Sequence, residues 1–199
     1  CFPIQVFSRG DALEYYFELN YNCNKAQIRA PWGKLIKKHI VTKFPFPIDR
    51  TYAEDAACVY QWIWQSEKIV NIDSVLYYYY INLNGICQTK MGSHILGNFI
   101  TEKEWLRFMK KNNFHNLYRM TCIRLLDDCI WFYNGLDNNE KYLAINVLKK
   151  GLLKYGKVAG YTVKTKPYHY ELAFPFFMRY YWLFKSQINK LKKRDSSND

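Results

Sequence analysis

Ile48-Asp49-Arg50-Thr51-Tyr52-Ala53-Glu54-Asp55-Ala56-Ala57 is the stretch on which the reading of this chain turns. It follows Phe44-Pro45-Phe46-Pro47, which cannot be helical, because each Pro removes a backbone donor and pushes its predecessor to extended geometry. From Glu54 onward the apolar positions Ala56, Val59, Tyr60 and Ile63 follow helical spacing, which predicts a helix to about Ser66. Glu54 and Asp55 therefore fall at a loop-to-helix junction, where the helix dipole favours negative charge. For two acids taken alone at such a junction, capping the helix is the ordinary role; facing a substrate is the alternative.

Working outward, Asp11 to Tyr21 reads as a helix with Asp11 as its N-cap. Residues 32 to 40 read as a short segment with Leu35 and Ile36 facing inward. Ile69 to Ile72 and Val75 to Tyr80 are β-branched and aromatic, and read as two short strands. After Gly85 the texture is helical. Glu102 to Asn112 places Trp105, Phe108 and Met109 on one face, and Asn116 to Asn134 aligns Tyr118, Cys122, Leu125, Cys129 and Phe132. Asp137-Asn138-Asn139-Glu140 has the form of a capping box and opens a helix to about Tyr155. The expected class is helix-rich α+β, divided at 96/97 into a first part with a few short strands and a mostly helical region, 97–199.

The chain of 199 residues is long enough for a real core, and 49% hydrophobic content excludes a disordered polymer. Its formal net charge of +12 favours anionic partners, but no zinc-finger or RNP-type motif accompanies the charge, so nucleic acid is not expected as a partner. None of the six cysteines forms a C-x-x-C pair or a zinc spacing with His, which points to reduced thiols in the cytoplasm. The start, Cys1-Phe2-Pro3, carries neither an initiating Met nor a signal peptide, as expected of a fragment. No apolar run reaches the roughly 18 residues that span a bilayer.

Three blocks in order carry a resemblance: Pro31-Trp32-Gly33-Lys34-Leu35, the Glu54-Asp55 pair, and Ile69-Val70-Asn71-Ile72-Asp73 with Leu76-Tyr77-Tyr78-Tyr79. Over roughly residues 7 to 90 the chain resembles the second, acceptor-side half of a family 2 glycosyltransferase of the GT-A fold. The resemblance implies the C-terminal part of a GT-A-like α/β fold (1–96) followed by a helical extension (97–199). It implies an inverting transfer from a nucleotide-sugar donor to a saccharide acceptor in polysaccharide biosynthesis, of the bacterial capsule type, at the cytoplasmic face of a membrane. Asp55 matches the catalytic base, Glu54 would position the acceptor or brace the loop, Trp32 would offer a ring face to a sugar, and Lys34 would meet donor phosphates or hold the acidic loop. The nucleotide-binding half, with its D-x-D metal motif, is not in this sequence, so a divalent Mg or Mn ion would be held mainly by residues outside the chain, and the fragment is expected to be inactive alone. Two positions depart from the family pattern: Tyr80 and Gly85 stand where an Arg and a Ser often approach the diphosphate.

The tail from Glu171 to Arg194 combines an aromatic band with a basic end, as expected either of a peripheral membrane contact or of a terminal helix docked on its domain. The alternative to an enzyme is therefore a non-catalytic binding or assembly module that uses this basic aromatic surface.

Overall fold

The computed structural model describes residues 4–17, 30–72, 74–78, 80, 82, 85, 92, 94 and 96–195, without the side chains of 187–195. Among the described residues the fold is helix-rich α+β. In order it contains β1 (Ile4–Ser8), α1 (Arg9–Phe17), α2 (Lys38–Lys43), α3 (Ala56–Gln65), β2 (Lys68–Ile72), α4 (Leu96–Lys111), α5 (His115–Gly135), α6 (Lys141–Ala159), α7 (Pro167–Ala173) and α8 (Pro175–Asp195). The chain divides into two compact units, Cys1–Thr121 and Cys122–Asp199. The division falls within α5, because α4 and the first turn of α5 bury Trp105, Met109 and Leu117 in the core of the first unit.

In that unit α1 and α3 pack face to face. Leu13, Tyr16 and Phe17 meet Val59, Tyr60 and Ile63, all nearly inaccessible. The rings of Phe17 and Trp105 meet edge to face at 5.2 Å, the arrangement their quadrupoles favour. β1 and β2 form an antiparallel ribbon with Val6 opposite Val70 and Ile4 opposite Ile72. Because side chains alternate across a strand, Phe7 and Ile69 turn onto the core, while Ile4, Val6, Val70 and Ile72 share the outer face, 63, 63, 54 and 45% exposed. No third strand pairs with the ribbon among the described residues.

Several sequence expectations are corrected. α1 begins at Arg9, and its cap is Ser8: the Ser8 Oγ accepts from the Asp11 backbone N–H at 3.2 Å and donates to Asp11 Oδ2 at 2.7 Å. Residues 18–21 of the expected helix lie outside the described residues. Leu35 is fully exposed instead of inward, and only Ile36 packs on the core. Residues 75–78 and 80 are not a strand, since nothing described pairs with them; Tyr79 lies outside the description. β1 itself was not anticipated. Asp137 does not open α6 directly: its carbonyl accepts from the Glu140 and Lys141 N–H groups in a turn, and the helix starts at Lys141.

In the second unit, α6 packs on α5 through Gly151, where a Cβ would stand 2.9 Å from Leu126 Cδ2. Cys122 and Cys129 are buried, as is Cys58 in the first unit. α6 stops at Gly160, whose φ of 75° suits glycine. The tail is two helices, because Pro175 removes a donor and starts α8 afresh after Phe174.

Candidate functional site

The acidic pair sits in a turn that is held from several sides. Ala53 adopts a left-handed φ of 59°, uncommon for a residue with a Cβ. Its carbonyl accepts from Ala57 N–H and from Thr101 Oγ1, both at 3.1 Å. Thr101 in turn accepts from Arg50 Nη1 at 2.9 Å. Arg50 closes a two-bond fork on Glu104, with Nη1 to Oε2 at 3.0 Å and Nη2 to Oε1 at 2.8 Å, and its Nε donates to Asp49 at 2.8 Å. On the other flank, Tyr16 Oη and Trp105 Nε1 both donate to the Ala56 carbonyl, at 3.2 and 3.0 Å. Gly97 at the start of α4 lets the helix approach Tyr52 so closely that any Cβ would meet the Tyr52 carbonyl oxygen.

Asp55 is the N-cap of α3, and one carboxylate oxygen, Oδ1, accepts the Ala56 N–H at 2.6 Å. Its second oxygen accepts no hydrogen bond among the described residues, and the residue is half-buried. Glu54 is half-buried beside it, and its backbone carbonyl and that of Asp55 accept from the Cys58 thiol. Burial, then the negative charges of Asp55 and Glu54, push that thiol up to about 12, so Cys58 stays neutral and is not a nucleophile.

Lys34 lies close enough to Asp55 to feel its charge. Burial lowers the ammonium to about 8, and Asp55 opposes that shift. The ammonium donates to the Ala30 carbonyl. Trp32 stacks on Tyr77 at 5.2 Å between ring centroids, 12° from parallel. Gly33, at φ 68°, lies against the same Tyr77 ring. The three sequence blocks are thus in two pairwise associations, Lys34 with Asp55 and Trp32 with Tyr77. The Glu54 side chain joins neither and takes no hydrogen bond among the described residues.

Sequence reasoning missed Arg50, Thr101, Glu104 and Gly97. Arg50 stands inside the opening stretch, but its partners Thr101 and Glu104 lie more than fifty positions away, and no spacing rule connects them. His94 is drawn to the site's edge, its ring 5.4 Å from Tyr52. Tyr80, at the departing position, is almost fully exposed. No group of three His, Cys, Asp or Glu side chains among the described residues could hold a metal ion. The described residues therefore do not fit a divalent ion.

The arrangement can do limited but definite chemistry. A half-buried carboxylate with one unengaged oxygen can accept a proton from a hydroxyl, and a neighbouring ammonium can steady the negative charge. No family model, curated protein or solved structure matches the chain.

Proposed function

We propose that this chain is the acceptor-side part of an inverting glycosyltransferase, which moves a sugar from a nucleotide-sugar donor to a saccharide acceptor in polysaccharide biosynthesis. The observation that carries the reading is the half-buried Asp55 carboxylate held at the N-terminus of α3 in a braced turn, with its charge felt by the buried Lys34 ammonium of the first resembling block. In this reading Asp55 takes the proton of the acceptor hydroxyl while that oxygen attacks the anomeric carbon, and the nucleoside diphosphate departs with the electron pair of the broken bond. General-base help of this kind is worth about 10²–10⁴ in rate. Lys34 holds the carboxylate in place, Glu54 orients the acceptor from the exposed side of the turn, and the Trp32–Tyr77 stack offers aromatic surface to a sugar ring.

Donor binding, and any Mg or Mn ion that neutralises the diphosphate, fall to residues outside this chain. The apolar outer face of the β1–β2 ribbon supports that division, because it is the kind of surface a further layer of a larger α/β domain covers. The working location is the cytoplasm, peripheral to the inner face of the membrane; no described helix is long and apolar enough to cross it.

The test is made in the chain joined to the donor-binding half of its parent protein. Asp55→Asn is expected to lower transfer at least about a hundredfold while sugar-nucleotide binding persists. Retained turnover rules Asp55 out as the base.

The second reading, a binding or assembly module without catalysis, is favoured by the exposed aromatic side chains of α8. It predicts that neither Asp55→Asn nor Glu54→Gln changes any transfer reaction of the joined protein, whereas removal of 175–199 abolishes its assembly.

A further inference from the structure

Among its described side chains α8 has two apolar faces, one buried and one exposed. Met178 is buried, and Trp182 Nε1 reaches back to Glu171 Oε1 at 3.1 Å. Phe177, Tyr180 and Phe184, at spacings of three and four, form a separate stripe, 57, 73 and 65% exposed, widened by Phe176 and Leu183. The sequence continues the same spacing with Ile188 and Leu191. Arg179 and Lys185 are exposed in the same turns, and the last turns add Lys190, Lys192, Lys193 and Arg194 against a single acid, Asp195.

We propose that α8 is a surface-seeking helix that lies in the interface of an anionic lipid bilayer, with the Phe177–Tyr180–Phe184 stripe in the acyl boundary and its basic residues on the headgroups. This rests on the helix alone and not on the transferase reading. Charge decides between lipid and a second copy as the occupant. Stripe-to-stripe docking of two copies would bring two strongly basic helices together, whereas an anionic surface neutralises them. The aromatic residues also suit the interface, since Tyr180 and Trp182 pair an apolar ring with a polar tip, and the Lys185 ammonium sits 4.7 Å over the Trp182 ring. With six basic residues in it the helix cannot cross a bilayer, so it lies along the surface instead.

The full chain is tested by flotation with vesicles of phosphatidylcholine alone and of phosphatidylcholine mixed with phosphatidylglycerol. Binding to the anionic vesicles is expected to exceed binding to the neutral ones by at least about tenfold and to fall with added salt. Phe177→Ser/Phe184→Ser removes the apolar stripe and Lys192→Glu/Lys193→Glu reverses charge; each is expected to abolish flotation. Phe177 and Phe184 are exposed, and an unchanged circular dichroism melt verifies that each variant stays folded. Equal binding to both vesicle types, or wild-type binding by either variant, overturns the proposal. So does a dimer in sedimentation that Phe177→Ser/Phe184→Ser dissolves while the wild type ignores lipid; that outcome assigns the stripe to a second copy.

Discussion

Arg50 and Glu104 meet through two parallel hydrogen bonds, 2.8 and 3.0 Å long, and tie the acidic turn to helix α4. The guanidinium side chain is only 5% exposed, so the pair is shielded on the arginine side and open on the glutamate side, at 29%. Arg50→Ala leaves the Glu104 fork and the Thr101 hydroxyl without their donor and is expected to cost about 3 kcal/mol, read by denaturant unfolding. Arg50→Lys restores charge but not the planar fork, and is expected to recover less than half of that loss.

Gly97 gives a sharper test of the same junction. A methyl group there meets backbone, the Tyr52 carbonyl, and also lies 3.3 Å from Arg50 Cβ. Backbone cannot swing aside as a side-chain end does. Gly97→Ala is expected to destabilise by about 2–3 kcal/mol despite the better helix propensity of alanine. Gly10→Ala in α1, where the nearest atom is Ser8 Oγ at 3.7 Å, serves as the control and is expected to be neutral or slightly stabilising. Similar melting temperatures for the two variants would show that α4 does not press on Tyr52.

Lys34 has a pH signature. Burial holds its ammonium at about 8, below the ordinary 10.5. Between those values the unfolded chain carries a proton that the folded one has released, so Lys34 costs stability below pH 8 and the cost is relieved as pH rises from 8 to 10.5. Acylation of Lys34 by a small reagent is expected to titrate with a midpoint near 8. Asp55→Asn removes the opposing charge and is expected to move that midpoint lower. An unmoved midpoint would separate the two residues and remove the main support for the proposed site.

How far these features were legible from sequence depends on how local their causes are. α3 and α5 were readable because Val59, Tyr60 and Ile63, and Cys122, Leu125 and Cys129, repeat with the helical period and are buried where that period puts them. Residues 75–80 misled because β-branched and aromatic residues favour strands only when a neighbouring strand exists to pair with them. Leu35 misled because apolar character does not by itself decide burial in a segment too short for a period to emerge. The acidic turn was visible as Glu54-Asp55 beside a helix start, whereas its brace was not. Arg50, Thr101 and Glu104 are joined only by folding, and the left-handed Ala53 has no residue-type signature.

In the second unit, Asp127 accepts from Lys166 Nζ at 3.3 Å and faces His169 Nε2 at 3.0 Å, joining α5 to α7. Burial raises this carboxyl, but His169, Tyr161 and Lys166 more than compensate and hold it below the ordinary 3.8. Its contribution to stability is therefore complete above pH 3.8 and is lost as pH falls through the lower folded value. Asp127→Asn is expected to cost about 1 kcal/mol at neutral pH and to flatten the acid limb of the stability curve. An acid limb identical to the wild type would assign that limb to other carboxylates.

The β1–β2 ribbon also determines how the chain behaves in the hand. Its outward Ile4–Ile72 and Val6–Val70 pairs, with no third strand beside them among the described residues, are the ingredients of strand-to-strand sticking between molecules. Handled by itself, the chain is most prone to clump at the ribbon as concentration rises. Val6→Lys, at a position 63% exposed on the outer face, is the economical way to keep it dispersed.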